Sequence, residues 1–375
     1  MLNTGGSAIL GPAARRDPRG RRQGRRVVFV LPAALALLTG LDAALRLLDL
    51  PAPVSARRLP DIHGMLLVLG FVGTLVALER AVALRHRAGY AAPGLLGAGA
   101  LLLVIPAPLR AGAAALAAGC AALVVVYVPL WRRQRDEAVL VQALGAVLAL
   151  GAAVLWLGSV PVPLLLPWLA GFVVLTIGGE RLELARLAMG PDAGARLVAL
   201  ALLHAAGPVV ALLWPTVGYP LLGATVLVLV AWLATHDVAR RTVRATGLTR
   251  FMAACMLAGY VWLAVAGVIW LVGGAATGGP AYDAVVHSVF LGFTLSMILA
   301  HAPVILPAVV GRGLPWSRAL VAPAALLHAS LAVRLWVGDG LGSRLAWRVG
   351  GAANIVALLG FVAVVLWSLA RRGRR

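Results

Sequence analysis

The sequence predicts an all-α integral membrane protein with about twelve transmembrane helices, and three observations support this prediction. Of the 375 residues, 62% are hydrophobic and only 12% are charged, and the mean hydropathy is +0.96. Soluble domains are about 45 to 50% apolar even when glycine is counted. The apolar residues form runs of about 20 residues, the length that crosses a bilayer as a helix, and they lack the strict alternation of strands in a membrane barrel.

The chain divides into one membrane domain and two short basic ends. Residues 1–26 contain seven arginines among glycine and proline and are predicted to be a disordered basic arm. Residues 27–370 form a single domain of twelve helices, and residues 371–375 form a basic tail. The predicted helices cover residues 27–48, 62–84, 91–109, 112–131, 138–158, 163–184, 197–215, 217–235, 251–273, 284–310, 319–338 and 349–370.

The distribution of arginine predicts the orientation of the bundle. Arginine accumulates in the cytoplasmic loops of membrane proteins, and 26 of the 33 basic residues lie at the two ends of the chain or after the even-numbered helices. Both termini are therefore predicted to be cytoplasmic, in a bacterial inner membrane. The first apolar run has no small-residue cleavage site, so we expect an uncleaved first helix.

Composition also excludes several classes of protein. The net charge of +20 comes from arginine alone, and the low overall charge density argues against a disordered or nucleic-acid-binding protein. The bilayer itself is the expected partner. Cys120 and Cys255 both lie inside apolar runs, so neither a disulfide framework nor a Cys-x-x-Cys metal site is expected.

Ionisable residues inside the predicted helices are the candidates for function, because they are rare in membranes. His63 follows the start of helix 2 and His287 follows the start of helix 10, each within about one turn of the outer surface. Paired imidazoles at one depth are the usual axial ligands of a haem iron and also suit copper. Arg334 lies in the outer half of helix 11 and has the planar fork that binds a carboxylate such as a haem propionate.

Three further histidines share a deeper layer. His301 and His328 lie 11 and 10 residues from the arginines that flank the short loop between helices 10 and 11, and His204 lies 8 residues inside helix 7. All three are predicted at roughly 12 to 15 Å from the cytoplasmic surface. A copper or zinc site is one interpretation of this layer. The other is that each histidine bonds a neighbouring helix and binds no metal.

The remaining charges favour structural ion pairs. Glu79 and Arg80 in ALERAVAL, and Glu180, Arg181 and Glu183 in GGERLELAR, lie near the cytoplasmic boundary. Ion pairs within or between helices explain them best, with a proton-entry route along the glutamates as the alternative.

Two stretches resemble a known family. His63 in IHGMLLVLGFVGTL and His287 in VVHSVFLGFTLSMILAH, in a twelve-helix chain with both ends inside, look like the haem-copper oxidase subunit I architecture. The size resembles more closely its NnrS-like relatives, haem- and copper-containing membrane proteins linked to nitric oxide stress. The resemblance implies a low-spin haem held between helices 2 and 10 by His63 and His287. Because helix 10 lacks a close His-x-His pair, it implies a single haem, or a site with a metal alone, rather than an oxygen-reducing centre.

The resulting hypothesis is a membrane protein that binds haem b, with copper as a further metal. It would act in the nitric oxide response or in respiratory redox metabolism, with nitric oxide as small ligand or with a redox partner. A sensor or protective role is favoured over a redox enzyme. The alternatives are a secondary transporter with a twelve-helix plan, which broken helices with polar sites at mid-membrane would support, and a membrane scaffold or assembly factor.

Overall fold

The computed structural model describes residues 18–54, 56–310 and 316–372. Regular structure in these residues is helical throughout. They include twelve helices that are long and apolar enough to cross a membrane, which confirms the predicted number. We call them spans 1 to 12: Val28–Leu47, Leu59–Leu84, Arg87–Val104, Leu109–Gln134, Glu137–Leu157, Val162–Met189, Ala193–Leu213, Pro215–His236, Gly247–Gly273, Gly279–Val304, Arg318–Gly340 and Arg344–Arg371.

The first and last helices continue into the two basic ends of the chain. The helix that contains span 1 runs over Pro18–Leu47, and the last helix runs over Arg344–Arg372. Most of the predicted basic arm lies outside the described residues, as does the end of the basic tail. Residues 18–26 of the predicted arm are helical in the structure, contrary to the prediction, and the disorder of the rest of the arm stays a prediction.

The boundary between spans 3 and 4 lies earlier in the chain than the hydropathy pattern predicts. Span 3 ends at Val104, and the following Ile105 is extended, with φ −75° and ψ 160°. A residue before proline is driven out of the helical region, and proline cannot donate the next helical hydrogen bond. Pro106 and Pro108 therefore end one helix and allow the next to begin at Leu109, although the apolar run continues through them.

Neighbouring spans pack through small residues. A Cβ atom added at Gly223 of span 8 would lie 2.3 Å from the backbone nitrogen of Leu271 in span 9. One added at Gly218 would lie 2.1 Å from the nitrogen of Ala211 in span 7. Close backbone approach of this kind holds membrane helices together, because lipid provides no hydrophobic driving force between them.

Two buried polar networks lie at the end of the bundle where span 2 finishes and span 9 begins. In the first, Arg80 donates to Glu79 at 2.6 Å and to Gln142 and Glu183 at 2.9 and 3.1 Å. In the second, Arg181 makes a two-point contact with Asp237, at 2.7 and 2.9 Å. The structure thus gives Arg80 and Arg181 the ion-pair role that the sequence favours.

The Arg181–Asp237 pair is predicted to be essential for stability. Replacing Asp237 by Asn leaves a buried guanidinium without a counter-charge, which costs about 3–5 kcal/mol. Denaturant titration of the detergent-solubilised protein measures this loss. The matched control is Asp192→Asn, because the Arg196–Asp192 pair is exposed and should lose less than about 1 kcal/mol. Equal losses in the two variants would contradict the prediction.

Candidate functional site

The two predicted axial histidines line one cleft. His63 of span 2 and His287 of span 10 are 224 residues apart in the chain, yet both border the same cleft, together with Arg334 of span 11. The cleft holds about 730 Å³ of empty space, counting the part that opens to the surroundings. The rest of its lining is mainly aliphatic, with residues from spans 1, 2, 6, 10 and 12.

Both histidines are held by the same kind of contact. Nδ1 of His63 donates to the carbonyl oxygen of Gly40 at 2.8 Å, and Nδ1 of His287 donates to the carbonyl oxygen of Asp283 at 2.8 Å. A carbonyl oxygen only accepts, so in each neutral ring the proton is on Nδ1 and the lone pair is on Nε2. Metal-binding histidines usually donate their second nitrogen in this way.

Asp283 is the centre of the polar contacts around the cleft. Its carboxylate accepts from Nε and Nη2 of Arg334 at 2.9 and 2.7 Å and from the indole nitrogen of Trp347 at 3.2 Å. It also lies 3.2 Å from Nδ1 of His287. One side chain therefore fixes the histidine, the arginine and the tryptophan. Asp283 is not among the residues predicted for the site, although Asp and His four residues apart on a helix are a recognisable signal.

Arg334 borders the cleft, but its guanidinium already binds a carboxylate of the protein. The sequence predicts that its fork binds a cofactor carboxylate, whereas its Nε and Nη2 bind Asp283 in the structure. The guanidinium also lies over the ring of Trp347, 5.1 Å from its centroid. Arg334 thus borders the cleft as one half of an ion pair, which reduces the net positive charge that it presents there.

Three π-helical segments surround the cleft. They cover Leu66–Gly73, Ser288–Leu295 and Val333–Gly340. The first begins three residues after His63, the second begins directly after His287, and the third contains Arg334. The first two carry Leu-Gly-Phe at the same positions, a signal that is visible in the sequence. Such widened turns occur frequently at functional sites.

Glycines in span 12 make room for Arg334. A Cβ atom at Gly350 would lie 2.8 Å from the backbone nitrogen of Arg334 and 2.8 Å from the carbonyl oxygen of Ser330. One at Gly351 would lie 3.0 Å from Nη1 of Arg334. Asn354, one turn further, donates to Leu327 and Ser330 of span 11. It thus joins spans 11 and 12 and also borders the cleft.

The layer of three deeper histidines does not form one site in the described structure. Nε2 of His301 bonds Arg181 and its Nδ1 bonds the carbonyl oxygen of Met297, so neither nitrogen is left for a metal. His204 bonds Thr225 and His328 bonds Trp262, on different helices. Among the described residues, no group of three or more His, Cys, Asp or Glu side chains is arranged to hold a metal ion.

Comparison with known proteins identifies a family but does not indicate an activity. The chain belongs to the family described as a domain of unknown function (DUF8744). The family model matches residues 26–370, which include the whole predicted membrane domain. No curated protein matches the chain, and no solved structure does. The site itself therefore provides the argument for function.

The glycine at position 350 is predicted to be required for the position of Arg334. Gly350→Ala should destabilise the protein by about 1–3 kcal/mol, because the added methyl meets backbone atoms that cannot move aside. Gly360→Ala in the same helix is the matched control. A Cβ there has an ordinary contact of 3.8 Å with Pro323, and alanine stabilises helices by up to about 1 kcal/mol. Unfolding in detergent measures both, and a stabilising Gly350→Ala would contradict the packing.

Proposed function

We propose that the cleft binds a non-covalently held haem between His63 and His287, in a multi-pass protein of the bacterial cytoplasmic membrane. The observation that carries this proposal is the matched pair of imidazoles. Both rings border one cleft, and both use Nδ1 on a backbone carbonyl, which leaves Nε2 as the free ligand atom. Two histidines are a common axial set for iron in haem proteins, and a mainly apolar lining suits the macrocycle.

The residues around the cleft have defined roles in this proposal. His63 and His287 bind the iron, and Asp283 orients His287 and partly neutralises Arg334. The aliphatic lining excludes water. A haem held there would supply one-electron redox chemistry and an iron that can bind nitric oxide. The resemblance to NnrS-like proteins supports a role in nitric oxide response or respiratory redox metabolism, as sensor, protective protein or redox enzyme.

Copper is less well supported than haem. The described residues contain no assembled set of three ligands, and His301, one of the three predicted ligands, has both ring nitrogens occupied. Orientation with both termini in the cytoplasm remains part of the proposal, on the basis of the arginine distribution.

Transport is the second candidate function. The π-helical segments interrupt spans 2, 10 and 11 beside the cleft, and transporters place substrate sites where helices depart from regular geometry. Uptake that fails in a His63 variant, in protein without bound haem, would favour this alternative.

The haem proposal predicts a spectrum that depends on two residues. Purified protein should show a sharp low-spin band in the reduced-minus-oxidised spectrum, and His63→Ala and His287→Ala should each lose it. His63→Gly supplied with free imidazole should recover the band, because the small ligand can replace the missing ring. His86→Ala is the control, since His86 lies in an exposed loop. A featureless spectrum, with no iron in the protein, would refute the proposal.

Asp283 is predicted to position the histidine without binding the iron. Asp283→Asn should weaken haem binding about 10- to 100-fold, as for other groups that orient metal ligands, and should leave a low-spin spectrum in the protein that remains loaded. Haem titration measures the change. Asp49→Asn removes an exposed ion pair with Arg344 and should have no effect. Unchanged affinity in Asp283→Asn would exclude the positioning role.

A further inference from the structure

Trp262 and His328 form a buried donor–acceptor pair between spans 9 and 11. The indole nitrogen of Trp262 donates to Nδ1 of His328 at 3.0 Å, and Trp262 is only 6% exposed. Because an indole nitrogen only donates, Nδ1 must hold the lone pair, and the imidazole proton is on Nε2. That Nε2 is buried and has no partner. The imidazole is therefore a base in direct contact with the indole proton.

A second tryptophan connects this pair to the surface. Trp336 stacks on Trp262 with ring centroids 5.8 Å apart and an angle of 28° between the planes. Trp336 is 60% exposed, on a face of the bundle that lipid or the interface covers in a membrane. The two indoles thus form a continuous aromatic contact from the surface to the buried base.

The buried indole also contacts a segment that borders the cleft. A Cβ atom at Gly292 would lie 2.4 Å from Cβ and Cγ of Trp262, so only glycine allows this approach. The preceding residue, Leu291, packs in the same cluster as Trp262 and lines the cleft. Both residues belong to the π-helical segment that follows His287.

We propose that Trp336, Trp262 and His328 form a one-electron relay from the outer face of the bundle to the buried Trp262, beside the segment that borders the cleft. A lipid-soluble radical oxidant such as nitrogen dioxide takes one electron from Trp336 and becomes nitrite. Trp262 returns one electron to the Trp336 radical cation and gives its indole proton to Nδ1 of His328. The products are intact Trp336, a neutral Trp262 radical and an imidazolium.

The geometry favours this direction of transfer. Oxidation makes an indole N–H strongly acidic, and a base at 3.0 Å is within the distance for direct proton transfer. The exposed Trp336 is the donor that an external oxidant can reach. Of the two indoles, Trp262 is the one bonded to the imidazole, so the neutral radical forms on Trp262. The relay follows from these contacts alone and does not depend on what the cleft binds.

Flash photolysis tests the relay in the full chain embedded in lipid nanodiscs. A photo-excited ruthenium polypyridine complex with a quencher provides the one-electron oxidant, and transient absorption separates the neutral indolyl radical from the radical cation. His328→Gln is the decisive variant, because the amide oxygen still accepts the indole hydrogen bond but cannot take the proton. The neutral radical should form at least about tenfold more slowly in this variant.

Three tryptophan variants complete the experiment. Trp262→Phe and Trp336→Phe should both remove the neutral radical attributed to Trp262, because one carries it and the other supplies the route. Trp214→Phe is the control, since Trp214 is also exposed, at 61%. Its loss should leave that signal unchanged. An unchanged rate in His328→Gln, or an unchanged yield in Trp336→Phe, would overturn the relay and leave the pair as a helix–helix contact.

Discussion

The structure depends on one constraint: fully buried charged side chains have no water to bond and are paired with other groups of the protein. An unpaired polar group in hydrocarbon costs several kcal/mol, so the buried charges are gathered into compact networks. Arg181 satisfies Asp237, and Arg334 satisfies Asp283. The first pair joins span 6 to the residue that follows span 8, the second joins spans 10 and 11, and the two pairs sit at different ends of the bundle.

This constraint explains why the cleft combines rigid polar contacts with an apolar lining. Asp283 holds the arginine through its carboxylate and the histidine through its backbone carbonyl, with the carboxylate also close to the imidazole. The glycines of span 12 bring the backbone against Arg334 and allow the ion pair to form beside the cleft. The π-helical turns shift the residues that follow them on each helix, and three of these turns meet at the same place.

Span 10 links the two ends of the molecule. His287 lies near its beginning, in the cleft, and His301 lies near its other end, bonded to Arg181. The two histidines differ in how many ring nitrogens are hydrogen-bonded. The first retains an unoccupied nitrogen, whereas the second has both nitrogens occupied and serves as a structural contact.

The sequence by itself determined the fold class, the number of spans and the two histidines that share a cleft. Hydrophobic length fixes the spans, and position near a helix start fixes the depth of His63 and His287. It did not determine which polar groups meet, because depth says nothing about the direction in which a side chain points around its helix. Only the tertiary structure separated the three deeper histidines, paired Arg334 with Asp283 and brought Trp262 between His328 and Trp336. Those contacts depend on helix rotation and on π-helical turns, which hydropathy does not record.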